Sequence, residues 1–377
     1  MTKKNEFKFS LIRGACAMGI ALLVAFLLIY ISAKGSDRLG ASFEALRQML
    51  ISPIFRKTGG ISTKSLCDIL AGMIPIIFTG LATCVMFSAN QFNLGAEGGI
   101  MLGAFVTGVV AVYAKLPAGI LPLVAILAGS LTVAAVMLIP AVLKAKLGVS
   151  EMVNSLMLNY VIMYFIDYMM NAHLADTSRG TTQTLPYQDA AHLPQLVDNG
   201  SRLSWGFVIA IIFVILTWFF MYRTKWGYGI RMTGLNQPFV KYSGMNVVLI
   251  VILSQVIGGL LAGMGGGIEE LGRYDVYDWV SLPGYGWTGI TVAILAGNNP
   301  AYVPLAAFFM SYLTKGCELM ATYANVPAQL ISIIQAVIFV FFAAEHFLAK
   351  YRQKLVVQSA TEELKATQAK AAEGGVK

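Results

Sequence analysis

Residues 90–99 read NQFNLGAEGG and interrupt two long apolar runs, residues 67–89 before them and residues 100–114 after them. Because both runs have the composition of membrane spans, the carboxylate in the interruption is predicted to lie at or near hydrocarbon depth. An ionised side chain at the centre of a membrane helix costs roughly 2.5–3.5 kcal/mol, so such residues usually face protein or water. The glycines allow the helix to break, which a bilayer tolerates only where freed backbone groups meet a partner or line a cavity. We therefore predict a solute pathway that includes Asn90, Asn93 and Glu97.

The glycines of this region have a second interpretation. Gly95, Gly99 and Gly103 recur every four residues, a pattern typical of closely packed membrane helices. Glu97 would then pair with a neighbouring helix. The two asparagines beside the carboxylate favour the pathway.

The composition predicts an all-α, polytopic membrane protein. Of the 377 residues, 57% are hydrophobic and 12% are charged, whereas soluble domains contain about 25% charged residues. The net charge of +8 comes from basic residues beside apolar runs, as the positive-inside rule describes, so it does not indicate a nucleic-acid partner. The four cysteines have no paired spacing, which argues against a disulfide framework or a metal cluster.

About ten apolar segments approach the length of about 20 residues that a span needs, and some of them are broken or half helices. The predicted spans are Gly14–Ala33, Leu66–Ala89, Gly98–Ala114, Gly119–Leu143, Val153–Met170, Trp205–Tyr222, Met245–Gly263, Trp287–Gly297, Tyr302–Lys315 and Pro327–Leu348. The eighth is short enough for a half-helix or re-entrant segment, which would change the count by one or two.

The charge pattern assigns the connections to two sides of the membrane. Residues 1–13 and the polar tail 349–377 are predicted to be cytoplasmic, and they flank a transmembrane domain over residues 14–348. The long loop 171–204 is predicted to be extracellular, and the basic loop 223–244 cytoplasmic. The segment between residues 34 and 64 contains an amphipathic stretch that we place outside against the bilayer, although its basic residues count against that side.

A second polar motif, GVSEMVNSLMLNY, covers residues 148–160. Ser150 can cap a helix, and Glu151 is favourable near the positive amino end of that helix. Asn154 and Asn159 then enter the membrane on different faces. Hydrogen bonding between helices and contact with a solute remain equal alternatives for these two amides.

Two further regions combine glycine with aromatic residues. In residues 226–246, short helical pieces broken by glycine and proline carry isolated basic residues, which indicates a docking surface for a cytoplasmic partner; a loop lying on anionic membrane lipid is the alternative. In residues 258–289, glycines permit close helix crossing, and Tyr285 and Trp287 could stack on a ring-bearing solute. The GxGxxG pattern at 284–289 lacks the strand that a dinucleotide fingerprint requires.

The sequence carries no catalytic or metal-binding motif. It contains no Walker A phosphate loop, no HExxH pair and no serine nucleophile elbow. We therefore expect no catalytic residue, no metal and no cofactor in this chain, so any ATP hydrolysis belongs to a separate partner.

Four segments together resemble the permeases of bacterial ATP-binding-cassette (ABC) importers in the sugar and nucleoside branch, which is akin to ribose and branched-chain amino acid permeases. Residues 92–98 are similar to its FN-[IL]-GAEG signature, and residues 150–160 to S-E-x-V-x-x-x-M-L-N-Y. Residues 231–246 resemble its cytoplasmic R-x-x-G-x-N-x-x-x-x-x-Y-x-G-x-N loop, and residues 284–300 a G-[YF]-G-x-x-G-I-x-V-A-x-L-x-x-N-N-P stretch. The matches fall in order across nearly the whole transmembrane region.

The resemblance implies a cell-membrane permease subunit without ATPase activity. Its partners would be two ATP-binding-cassette subunits, a second homologous permease and an extracellular solute-binding lipoprotein. The GAEG form of the signature implies a nucleoside or related sugar-containing solute. The cytoplasmic loop would couple the permease to the ATPase, and its predicted coupling residues are Gly229, Arg231, Gly234, Asn236, Tyr242 and Gly244.

A stand-alone secondary transporter is the alternative function. Glu97 and the pair Glu269–Glu270 would then respond to protons or sodium ions. Such a carrier has no need of the coupling-loop pattern. Dependence of uptake on ATP and on a cassette subunit would separate the two functions.

Overall fold

A computed structural model describes residues 38–55, 60, 62–176, 180, 182–197, 200–323 and isolated positions in 19–31 and 333–337. Within those residues the regular structure is helical, as predicted, and the only β-type pairing is one isolated bridge. The chain divides into two units, Pro53–Lys315 and a second unit formed by Met1–Ser52 with Gly316–Lys377. The polar residues considered below lie in Pro53–Lys315.

The α-helices of the described chain are joined by connections of different lengths, the longest of which is residues 170–205. In chain order they are α1 (Arg38–Leu50), α2 (Thr63–Ser88), α3 (Ala96–Tyr113), α4 (Ile120–Val136), α5 (Leu138–Leu147), α6 (Glu151–Met169), α7 (Gly206–Arg223), α8 (Lys225–Leu235), α9 (Gln237–Tyr242), α10 (Val247–Arg273), α11 (Tyr285–Leu295) and α12 (Val303–Tyr323). Helix α1 contains the amphipathic stretch predicted between residues 34 and 64.

Five helical segments of the described chain are long and apolar enough to cross a membrane: α2, α3, α4 with α5, α7 and α10. Helix α11, of only 11 residues, and the helical segment Pro300–Thr322 are bent by 113° relative to each other, as in a broken span or a re-entrant loop. The short eighth segment is thus confirmed as a short helix. Helix α6 is not among the five, since its polar side chains lower its hydropathy. The predicted first and last spans lie mostly outside the described residues.

The centre of the unit Pro53–Lys315 is a crossing of α3 and α10 that only glycine permits. A Cβ atom on Gly103 would collide with the backbone of Gly263, and a Cβ on Gly266 would collide with the carbonyl of Ile100. On the next helix, a Cβ on Gly129 would lie 2.6 Å from the carbonyl oxygen of Gly103. Small residues at such contacts let membrane helices approach closely. The packing interpretation is therefore confirmed at Gly103.

Candidate solute pathway and coupling surface

The chain leaves helical structure between α2 and α3, where the sequence predicts a break. Asn90 adopts a positive φ of 56°, a left-handed conformation that asparagine tolerates better than most residues. It is exposed, whereas Gln91 and Asn93 are buried. Such non-helical backbone needs hydrogen-bond partners from neighbouring elements if it lies at membrane depth.

One face of α6 supplies those partners. Glu151, Ser155 and Asn159 are spaced by four residues and so lie one above the other on the helix. The Glu151 carboxylate accepts a hydrogen bond from the amide of Phe92 (3.1 Å), and the Ser155 hydroxyl accepts one from the amide of Leu94 (2.9 Å). Three consecutive turns of α6 thus face the broken segment.

Asn159 makes the third and most complete of these contacts. Its Nδ2 donates to the carbonyl of Leu94 (3.0 Å), and its Oδ1 accepts from the amide of Gly98 (2.9 Å). A Cβ on Gly98 would lie only 2.8 Å from the Cα of Asn159. The glycine therefore allows the two backbones to approach, and the buried amide joins both sides of the break.

Glu151 also carries an ion pair at the start of α6. Lys144 lies 2.8 Å from its second carboxylate oxygen. Although burial disfavours the charged form, the hydrogen bond from Lys144, together with its charge, holds the pKa of the Glu151 carboxyl below its ordinary value. An ionised Glu151 therefore accepts from both the lysine and the Phe92 amide.

Asn154 differs from Asn159 although the sequence pairs them. It is half-buried, lies off the Glu151–Ser155–Asn159 face, and its Nδ2 has no hydrogen-bond partner among the described residues. Sequence analysis did not predict that the side chains of Ser155 and Glu151 bind the backbone of the broken segment. The four-residue spacing that they share with Asn159 was the available signal.

Replacing Asn159 by alanine is expected to destabilise the protein. The change would leave a buried amide and a buried carbonyl unpaired, and an unsatisfied buried group costs about 1–3 kcal/mol. Asn154→Ala is the matched control on the same helix. Thermal unfolding of the purified variants should show a clearly lower midpoint for Asn159→Ala and little change for Asn154→Ala. Equal shifts of the midpoint would contradict the conclusion that only Asn159 holds the break.

Asn93 ties the break to α10. Its Nδ2 donates to Oε1 of Gln255 (2.8 Å), and its Oδ1 accepts from the amide of Gly95 (2.7 Å). Both side chains are buried, and Nε2 of Gln255 has no partner among the described residues. The break thus has polar connections to α6 and α10.

Glu97, just after the helix break, connects this region to the start of the short helix α11. Its carboxylate is fully buried and accepts hydrogen bonds from three backbone amides at the start of α11: Gly284 (2.5 Å), Gly286 (2.6 Å) and Trp287 (3.3 Å). The first amides of a helix have no partner inside it, and the amino end of a helix favours negative charge. Glu97 of α3 therefore caps α11.

The close approach of α11 depends on two glycines. Gly284 has a positive φ of 86°, and a Cβ on Gly286 would collide with the backbone of Glu97. From α2, the hydroxyl of Thr79 donates to the carbonyl of Tyr285 (3.0 Å). Helix α11 is thus held on one side by α3 and on another by α2.

The two predicted stacking residues have different surroundings. The Tyr285 hydroxyl donates to Glu269 (3.3 Å), which also binds Arg273 (3.1 Å). The centre of the Tyr285 ring lies 6.0 Å from the centre of the Trp279 ring. Trp287 is 41% exposed and makes no ring contact with this group in the described chain. The structure therefore does not bring Tyr285 and Trp287 together as one stacking site.

The loop predicted to be extracellular packs on the end of α10. The Tyr187 hydroxyl donates to Glu270 (2.5 Å), and burial, reinforced by that carboxylate, raises the pKa of Tyr187. Backbone hydrogen bonds join Leu193 to Leu271 (3.0 Å) and Thr184 to Tyr277 (3.1 Å). The loop and the carboxyl end of α10 consequently lie together.

The predicted coupling loop folds into α8 and α9. Thr224 caps α8 by accepting from the amide of Gly227 (3.1 Å), and Asn236 caps α9 by accepting from the amide of Phe239 (3.1 Å). Gly244, at a φ of 77°, lies in the turn that follows. The glycine and the two caps explain how this loop folds into a compact helical pair.

Three of the predicted coupling residues contact the rest of the protein. A Cβ on Gly229 would lie 2.9 Å from the side chain of Ile250. Nε of Arg231 donates to the carbonyl of Met221 (3.1 Å). A Cβ on Gly234 would collide with the carbonyl of Ser88, at the end of α2. Helix α8 therefore rests directly on the start of the break.

The helical pair also exposes large apolar side chains. Leu235 is 78% exposed, Phe239 50% and Tyr242 90%. We call these three residues the coupling patch. Exposed patches of apolar residues are typical of interaction surfaces. The pair thus contacts the end of α2 through Gly234 and leaves three large apolar side chains exposed.

Apolar spans, a helix break satisfied by buried amides and a half-helix capped by a buried carboxylate define a multi-pass membrane protein of the transporter class. Residues 65–343 match the family model described as branched-chain amino acid transport system / permease component, and the chain belongs to this family. It is a permease component of an ABC importer in the cell membrane, and the secondary-transporter alternative is not supported.

Several characterised relatives are similar over most of their length. A glucose ABC transporter permease of Haloferax volcanii is 32% identical over 76% of this chain and 78% of its own. A guanosine ABC transporter permease of Bacillus subtilis is 31% identical over 74% and 81%, respectively. A nucleoside ABC transporter permease of Lactococcus lactis is 30% identical over 76% and 81%. No solved structure gives a significant match.

Proposed function

We propose that this permease imports a nucleoside or a closely related sugar-containing solute. Relatives named as guanosine and nucleoside permeases support this choice, and the relative named as a glucose permease supports the broader class of sugar-containing solutes. Aromatic rings next to hydrogen-bonding groups, as at Tyr285 and Trp279, have the chemistry that a base and a ribose require. Asn90, Asn93, Glu97, Asn154, Asn159, Tyr285 and Trp287 remain the proposed pathway residues.

Glu97 acts on this pathway through α11 in our proposal. Both of its oxygens are engaged by backbone amides of that half-helix, so a change in its position would move α11. Asn159 and Asn93 hold the neighbouring break in the same way. Transport would then require that the break and the half-helix move as one body.

The proposed arrangement in the membrane has about ten crossings with cytoplasmic termini, between which residues 14–348 form the permease domain. The five apolar helical segments and the bent pair at α11 support part of this count. Basic residues at the end of α7 and the start of α8 favour a cytoplasmic position for loop 223–244, and the packing of loop 171–204 on the far end of α10 favours the extracellular side for that loop.

The coupling patch is proposed to dock on an ATP-binding-cassette subunit. The observation that carries this proposal is the contact of Gly234 with Ser88. Because α8 rests on the end of α2, a displacement of α8 and α9 by the ATPase would reach the break directly. Two such subunits, a second homologous permease and an extracellular solute-binding lipoprotein complete the proposed assembly.

Competition of uptake tests the proposed solute. In cells that express the complete transporter, unlabelled guanosine and uridine are expected to reduce uptake of labelled guanosine, whereas ribose, glucose and leucine should not. The base supplies contacts that a free sugar lacks. Absence of guanosine uptake, together with transporter-dependent uptake of labelled glucose, would identify a sugar permease instead.

A further inference from the structure

A cavity of about 680 Å³ lies where the end of α7, the start of α8 and the start of α10 meet. This volume is within the range of small-molecule sites. Its lining residues are Tyr222, Arg223, Thr224, Lys225, Trp226, Tyr228, Arg231, Met245, Asn246, Leu249 and Ile250. The cavity is separate from the coupling patch and from the residues proposed for the solute pathway.

Among the described residues, the lining of the cavity contains three cations and no carboxylate. Arg223 and Lys225 are exposed, and Arg231 is half-buried. Arg231 is held in place, because its Nε binds the carbonyl of Met221 and its guanidinium lies 4.6 Å from the ring centre of Tyr222. Both terminal nitrogens of that guanidinium remain as donors. Three positive groups around one concave surface favour an anion with several acceptor oxygens.

The surrounding side chains indicate that this anion belongs to a lipid. Trp226 is 48% exposed and Tyr228 41%, and such aromatic side chains are enriched at the membrane–water interface. The cavity also includes the exposed side chain of Leu249 on α10. The cavity therefore combines positive charges, which suit a lipid headgroup, with an apolar surface, which suits an acyl chain.

An exposed apolar stripe leads from the cavity along α7. Ile212, Ile215 and Phe219 are each about half exposed or more, and they follow the helical spacing that ends at Tyr222, which lines the cavity. A lipid whose headgroup binds in the cavity could lay an acyl chain along this stripe, whereas a soluble phosphate or nucleotide has no apolar chain that could do so.

We infer that the cavity binds the phosphate headgroup of an anionic phospholipid of the cytoplasmic leaflet. This placement depends on the proposed cytoplasmic position of loop 223–244. Basic pockets between membrane helices on that side bind acidic headgroups. Because α8 also contacts the end of α2 through Gly234, a bound lipid would hold α8 against the membrane and position the coupling patch.

Native mass spectrometry of the complex purified with its ATPase subunits tests the site. The wild-type complex is expected to retain phosphatidylglycerol more strongly than phosphatidylcholine. The double variant Arg223→Gln/Lys225→Gln should bind phosphatidylglycerol at least about tenfold more weakly, a loss of about 1.4 kcal/mol. Lys241→Gln removes an exposed cation of the same loop outside the cavity and should leave binding unchanged.

Equal retention of the two lipids, or unchanged binding in the double variant, would overturn the inference. Displacement of the lipid by inorganic phosphate alone would identify a soluble anion as the ligand, and absence of lipid from the complex would indicate that a protein subunit covers the cavity; either result also overturns it. Quenching of Trp226 fluorescence by brominated phosphatidylglycerol, taken as the difference between the wild type and Trp226→Phe because the chain has four other tryptophans, gives a second measurement that does not depend on the charge variants.

The lipid measurement is independent of solute and of ATP. Loss of lipid binding with normal nucleoside uptake would overturn the lipid site and leave the proposed function intact. Normal lipid binding in a complex that takes up no nucleoside would overturn the proposed solute and leave the site intact.

Discussion

Replacing Glu97 by alanine is expected to abolish uptake. The carboxylate accepts three backbone hydrogen bonds at the start of α11, and each buried amide left without a partner costs about 1–3 kcal/mol. The cavity and the lost helix cap would release α11 from α3. Uptake of labelled nucleoside into cells, normalised to the amount of protein in the membrane, measures the effect.

Two companion variants separate capping from contact with the solute. Glu97→Gln keeps an acceptor oxygen and is expected to retain part of the uptake, whereas Asp275→Ala removes an exposed carboxylate and should have little effect. Near-normal uptake by Glu97→Ala would contradict the capping account. Complete loss in Glu97→Gln, with normal protein level and thermal stability, would indicate that the charge itself acts on the solute.

Replacing Gly234 by leucine is expected to separate ATP hydrolysis from transport. Any side chain here collides with the carbonyl of Ser88, so α8 would have to move away from α2 and from the break. We expect uptake to fall at least about tenfold, which corresponds to about 1.4 kcal/mol, while the assembled complex still hydrolyses ATP. Parallel assays of uptake and phosphate release in proteoliposomes measure the two activities.

Gln237→Leu is the control for added apolar volume in the same loop. Gln237 is exposed at the start of α9, so its replacement should change neither activity strongly. Normal uptake by Gly234→Leu would show that the contact between α8 and α2 does not transmit movement. Loss of uptake in both variants would point to a general sensitivity of the loop.

The helical class and the break at residues 90–95 could be predicted from the sequence, because apolar composition and local glycine and asparagine residues determine both. The same holds for the short helix α11, whose 11 residues are too few for a full span. All three features depend on residues that are close together in the sequence, so they can be predicted without knowledge of the tertiary contacts.

The partners of the buried polar residues could not be predicted in this way. Glu97 binds amides that follow it by nearly two hundred positions, and no local pattern identifies which helix a carboxylate will cap. The sequence placed Asn154 and Asn159 on different faces of the helix but did not indicate which face meets the break, and only Asn159 lies on that face of α6. Glu151, Ser155 and Asn159 are spaced by four residues and therefore share one face of α6. That this face contacts the break is known only from the hydrogen bonds in the folded structure.

Cross-linking from the coupling patch tests the central claim most directly, namely that α8 and α9 connect this permease to a cytoplasmic ATPase. Tyr242 is 90% exposed, and Tyr242→Cys places a reactive thiol in the patch, with the unaltered chain as the background control. We predict a cross-link to the ATP-binding subunit in membranes and no labelling of intact cells by a membrane-impermeant thiol reagent. Labelling of Tyr242→Cys from outside intact cells, without a cross-link to the ATPase, would contradict the account.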